Sequence, residues 1–164
     1  MSRLRNITFA ALFAVAAFAL VHAADAANRA DDASVARGRY IVRIAGCNDC
    51  HTAGYAASGG TIPEKDWLLG DTVGWHGDWG TTYPPNLRLV LSAMNEEQWV
   101  KSARTVQGRP PMPWFALRDM TEQDLRAIYR FVRQLGPVGK PAPAYLPPGT
   151  APAGPVILFP AAPK

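Results

Sequence analysis

The run Cys47-Asn48-Asp49-Cys50-His51 constrains this chain more than any other stretch of it. On a helical turn residues i and i+3 share a face, so the two thiols stand side by side and the imidazole, four residues after the first thiol, falls next to them. Two thioether bonds to the vinyl groups of one porphyrin, with a proximal nitrogen ligand from the following histidine, need this spacing. A dithiol redox centre would be expected inside a strand-helix alternation, and a structural zinc would need four ligands. The chain has two cysteines in all and, past its first segment, two histidines, His51 and His76. The motif therefore predicts one covalent haem c held by Cys47, Cys50 and His51, and no disulfide.

The amino terminus predicts export, which that chemistry needs. Arg3 and Arg5 precede an apolar stretch, Ile7 to Val21, ending at small residues suited to cleavage after Ala23 or after Ala26. The stretch is shorter than the about 20 residues of a spanning helix, and it holds no cysteine for lipidation. Residues 1–23, or 1–26 with the later cleavage point, are thus expected to be a cleaved signal peptide, His22 leaving with it. The expected location is the periplasm, with no stable membrane insertion. The formal charge of +4 falls to +2 without Arg3 and Arg5, or to +3 if Asp25 is also lost, and demands no nucleic-acid partner. About 140 residues remain, enough for one core but small enough to gain from building it around a macrocycle.

Three helices are expected. The first covers about 34–45, with Val35, Gly38, Val42 and Ala45 on one face; Gly38 costs helix stability but allows close approach of another helix, with Tyr40 nearby. The second starts at an Asn95 cap with Gln98 at its third position and puts Trp99, Ala103 and Val106 together. The third starts at Thr121, carries Leu125, Ile128, Tyr129, Val132 and Leu135 inward, and ends at Gly136-Pro137. Between His51 and Met94 the sequence predicts loops and short turns. There Trp67, Trp75, Trp79 and Tyr83 read equally as ordinary core or as rings against a porphyrin with donors for its propionates. From 137 to 164, nine of 28 residues are proline. This is an extended strap, and Val156-Ile157-Leu158-Phe159 is apolar enough to be expected buried on the domain or on a second copy, making a homodimer possible.

For a sixth iron ligand the candidates are Met94, Met112, Met120 and His76. Met112 is favoured, because Pro110, Pro111 and Pro113 stiffen the backbone around its sulfur in a loop between the second and third helices. Met94 and Met120 each precede a helix cap and read as hydrophobic staples. His76, between glycines, reads as an exposed loop histidine that leaves bis-histidine ligation as the lesser alternative. A thioether stabilises ferrous iron relative to a second imidazole, so His51/Met112 ligation implies a raised potential and no open site.

With this motif, a first helix bearing Gly38 and Tyr40, a last helix bearing Tyr129 and a late Met-Pro pair, the chain resembles class I monohaem cytochromes c over about 31–136. The resemblance implies an all-α cytochrome c fold with helices and loops wrapped around one haem. The first and last helices would cross at the glycine and aromatic positions, with Cys47, Cys50 and His51 binding the haem and Met112 as distal ligand. Gly80-Thr81-Thr82-Tyr83-Pro84-Pro85-Asn86-Leu87 is similar to a segment in haem modules of periplasmic dehydrogenase cytochrome subunits. The expected organisation is a haem domain at 27–136 followed by the strap.

The expected function is single-electron transfer rather than enzymatic catalysis. The chain would be a soluble carrier or a small haem subunit between a periplasmic dehydrogenase and a downstream cytochrome or oxidase. The alternative is a haem enzyme or gas sensor whose distal ligand is displaceable or absent. Arg126, Arg130 and Arg133 recur on one face of the third helix, either as a solvated surface or as a patch that steers an acidic redox partner.

Overall fold

The computed structural model describes residue 22 and residues 25–160, so the signal-peptide expectation lies almost wholly outside the described residues. The chain divides into two units, 1–34 and 35–164. The described residues of the first unit are helical. Among the described residues of the chain there are six α-helices, one short 3-10 turn and a three-stranded sheet. The expectation of an all-α chain is therefore corrected to a mainly helical chain with a small sheet.

Helix α1 covers residues 25–44, beginning well before the expected start at 34. In the second unit its Ile41 and Val42 are buried, while Ala45, expected on the same face, lies in the turn after the helix and is exposed. Helix α2 is Cys47–His51, followed by α3 (Leu87–Ser92), α4 (Glu96–Thr105), α5 (Trp114–Asp119) and α6 (Glu122–Leu135). Helix α4 has the expected capping box: Asn95 Oδ1 accepts from the Gln98 amide, and Gln98 Oε1 accepts from the Asn95 amide. Its Trp99 and Ala103 are buried, whereas Val106 is the residue that ends the helix and is exposed. Helix α6 starts at the Thr121 cap and ends at Gly136 as expected. Leu125, Ile128, Phe131 and Val132 carry its buried face, with Tyr129 and Leu135 only half-buried.

Gly38 is where α1 meets α6. A Cβ there would lie 2.0 Å from the Ala127 carbonyl oxygen and 2.9 Å from Phe131 Cβ, so the backbones approach more closely than any side chain allows. The aromatic residue at this crossing is Phe131. Tyr40 is instead exposed, beside the Arg37 guanidinium, and the Tyr129 hydroxyl donates to the Met94 carbonyl. Met94 and Met120 pack half-buried against the core, consistent with staples.

The segment read as loops and turns contains real elements. Strands β1 (Gly74–Gly77) and β2 (Gly80–Thr82) form an antiparallel hairpin closed by Asp78-Trp79. Strand β3 (Val156–Leu158) joins the other edge of β1 in parallel, giving the order β2-β1-β3. The missed helix α3 is capped by Asn86, whose Oδ1 accepts from the amides of Arg88 and Leu89. Asn86 Nδ2 also donates to the carbonyls of Val138 and Lys140, tying the start of the strap down. Buried Arg88 donates to the Leu135, Gly136 and Lys65 carbonyls, satisfying acceptors at the end of α6 that the helix leaves open.

The strap grips the hairpin on both edges. Leu146 exchanges two backbone hydrogen bonds with Thr81 on the β2 side, at 2.8 and 3.0 Å, and β3 pairs on the β1 side. Gly80 permits the first contact: at φ +98° it takes a backbone that favours glycine, and a Cβ would lie 2.2 Å from the Leu146 carbonyl oxygen. The backbone of Val156–Leu158 docks on the domain by pairing with β1, but the side chains expected to be buried are not covered within the single chain. Ile157, Leu158 and Phe159 remain exposed, Leu158 at 72%.

Candidate functional site

Helix α2 brings Cys47, Cys50 and His51 together within one and a half turns, the arrangement expected from the motif. Both cysteines are unpaired and half-buried. Burial pushes the Cys47 thiol up to about 11 and raises Cys50 as well, so both are neutral thiols at neutral pH. A redox dithiol needs a depressed thiol pKa, and these surroundings produce the opposite.

His51 is buried, and its Nδ1 lies 2.8 Å from the Pro85 carbonyl oxygen. A carbonyl only accepts, so Nδ1 carries the proton and Nε2 keeps its lone pair. Burial holds the imidazole below the usual histidine range, opposed in part by that hydrogen bond, and leaves the ring neutral, the form that binds a metal. His51 and the segment that carries its acceptor both meet Gly70. Gly70 N–H donates to the His51 carbonyl at 2.8 Å, and a Cβ on Gly70 would lie 2.8 Å from the Asn86 nitrogen and the Pro84 carbonyl oxygen, so no side chain fits between these segments.

Three buried side-chain polar atoms have no hydrogen-bond partner among the described residues: Nδ2 of Asn48, which follows Cys47 in sequence, and Trp79 Nε1 and Thr82 Oγ1 on the hairpin. Buried donors are normally satisfied, and each unsatisfied one asks for a ligand or water. Among the described residues no group of three or more His, Cys, Asp or Glu side chains is placed to hold a bare metal ion. Two neutral thiols and one oriented neutral imidazole on a single turn have the donor chemistry of a covalent haem site rather than that of a bare ion. An open groove of about 420 Å3, lined by Arg43, Ile44, Asp49 and Tyr55 among others, borders the same turn, but neither thiol nor the imidazole lines it.

Met112 comes from a different part of the chain, the loop between α4 and α5, with α5 interposed before the last helix. Its amide donates to the Arg109 carbonyl at 3.1 Å, its carbonyl accepts from the Trp114 amide at 2.9 Å, and its half-buried side chain packs by Gly108. His76 is not a loop residue. It lies on β1, half-buried, with Nδ1 2.8 Å from Thr81 Oγ1 and its carbonyl accepting from the Phe159 amide.

Trp67 is core, with Nε1 donating to the Ile62 carbonyl and its ring edge-on to Tyr55 and Phe131. Trp75 and Trp79 both pack on Phe159 of the strap. The arginines of α6 are engaged within the chain: Arg126 with Glu96, Glu97 and Glu122, Arg130 with Glu96, and Arg133 with the Ser92 carbonyl. This favours the reading of a solvated, internally paired face over a steering patch.

The sequence reading missed Pro85 and Asn86 as parts of the site. An asparagine directly before Leu-Arg-Leu-Val-Leu is a helix-cap signal for α3 that was available in the sequence, whereas the approach of Pro85 to α2 is set by the fold. Comparison with protein-family models, with curated proteins and with solved structures gave no match.

Proposed function

We propose that this chain is an exported c-type haem protein that carries single electrons between a periplasmic dehydrogenase and a downstream acceptor. One observation carries the reading: a buried, neutral His51 with Nδ1–H committed to the Pro85 carbonyl and Nε2 unprotonated, on the same turn as two unpaired thiols. Haem c, when bound, supplies a one-electron ferric/ferrous couple. Cys47 and Cys50 supply the two sulfurs for thioether attachment, which fixes the group to α2. The Pro85 carbonyl fixes the tautomer and ring orientation of His51 and strengthens it as a donor. Met112 would be the second protein donor to the iron, a role supported by its proline-stiffened loop. Among the described residues no helix is long and apolar enough to cross a membrane.

The test is expression with export and a c-type haem attachment system. Haem that stays on the polypeptide after denaturation, and is lost in Cys47→Ala/Cys50→Ala, is the expected result. A cooperatively folded wild-type product without covalent haem overturns the proposal. Ferrous wild-type protein should leave its spectrum unchanged under carbon monoxide, whereas Met112→Ala should bind it. Ready binding by the wild type would instead favour a haem enzyme or gas sensor.

A further inference from the structure

We propose that Tyr145, on the proline-rich strap, is a positioning residue that holds the Met112 loop in place. The proposal rests on the reading of Met112 as the sixth ligand, but the contact itself does not. Between the end of α4 at Thr105 and the start of α5 at Trp114 the loop is mostly exposed. A segment secured only by its own turns would sample many positions.

Arg109 ties it to the strap: its guanidinium carbon lies 3.9 Å from the centroid of the Tyr145 ring. That is a close cation–π contact, and the planar guanidinium can stack on the ring. Tyr145 is a fixed platform. Its hydroxyl donates to the Trp79 carbonyl at 2.7 Å, and its neighbour Leu146 exchanges two backbone hydrogen bonds with Thr81. Arg109 and Met112 are separated by two prolines, and the Met112 amide donates back to the Arg109 carbonyl. Fixing Arg109 therefore restricts where the sulfur can go. The chain of contacts runs from hairpin to strap to loop, and it gives the strap a task that a solvated tail would lack.

The experiment compares Tyr145→Ala, Tyr145→Phe and Arg109→Gln in the full-length, haem-loaded protein. Haem attachment should be unchanged in all three. In Tyr145→Ala and Arg109→Gln the sulfur-to-iron charge-transfer band of the ferric protein should weaken, and carbon monoxide should enter the ferrous protein about tenfold faster. Deuterium uptake at the Met112 amide should rise in the same two variants. Tyr145→Phe keeps the ring beneath the guanidinium and should stay nearer the wild type on all three readouts. Unchanged band, carbon monoxide rate and deuterium uptake in Tyr145→Ala and Arg109→Gln overturn the proposal. Arg109 is exposed, so its variant decides the matter if Tyr145→Ala fails to fold. A wild-type protein lacking the charge-transfer band overturns the ligand reading alone; deuterium uptake at Met112 then decides the positioning, and unchanged uptake refutes it.

Discussion

Trp99 and Trp79 show how differently two regions of this molecule are built. In the helical frame, Trp99 donates Nε1–H to the Leu125 carbonyl at 2.7 Å, linking α4 to α6. On the hairpin, Trp79 Nε1 is also buried but has no partner among the described residues, although the ring is packed on Phe159 and folded over Gly77. Around α4 and α6 the frame satisfies its own demands. Their N-terminal caps are paired, their inner faces are buried, and a glycine of α1 brings its backbone against that of α6. The hairpin and strap are joined through backbone pairing and ring contacts while leaving polar atoms unpaired inside and Ile157, Leu158 and Phe159 outside. A region that is internally complete tolerates little change. One left unfinished by its own side chains is where a ligand or partner has something to add.

The largest effect should therefore come from the frame. Gly38→Ala places a methyl group 2.0 Å from the Ala127 carbonyl oxygen, and neither helix backbone can yield without parting the core around Phe131. The expected loss is about 3 kcal/mol of unfolding free energy, read from denaturant melts. A loss near zero would mean that α1 and α6 are not locked at this point, and the contrast between the regions would collapse.

Asn86 stands at the joint between them and should come next. Its Oδ1 caps α3, and its Nδ2 holds the Val138 and Lys140 carbonyls at the start of the strap. Asn86→Ala removes the cap and leaves buried groups unpaired, for an expected loss of about 2 kcal/mol. Asn86→Asp keeps the cap and loses the donor, so it should retain part of that stability. Equal losses in the two variants would show that the strap anchor, and not the cap, is what matters.

What could be read in advance follows the same division. Helices α4 and α6 were legible because cap residues and a 3.6-residue apolar period are local signals; Asn95, Gln98 and Thr121 act as such residues should. Gly38 was legible as a close approach, but the aromatic across it was not, since Tyr129, the residue expected there, and Phe131 lie two positions apart on α6 and only packing decides between them. The hairpin was hidden because its strands are four and three residues long and its partner strand β3 lies some 80 positions away. Long-range pairing of short strands leaves almost no period to detect. The thiols and His51 of the candidate site were legible as a motif; the carbonyl that orients the imidazole was not, because every residue has one and only the fold selects Pro85.

The smallest effect should follow removal of the strap's end, by truncation after Gly149. This deletes β3, the Pro155 carbonyl that accepts from Gly74, the Phe159 amide that donates to His76, and the ring that packs on Trp75 and Trp79. It leaves Tyr145 and Leu146 on the hairpin. The lost side chains are largely exposed, so little apolar burial disappears, and β1 regains water for its freed edge. The balance is about 1 kcal/mol, or a fall of roughly 3 °C in melting temperature. Trp75 and Trp79 lose their shared neighbour, so tryptophan emission should shift to longer wavelength even where the melting temperature scarcely moves. A loss as large as that of Gly38→Ala would make the strap's end part of the cooperative core. No change in melting temperature or emission would mean that β3 is not paired in solution.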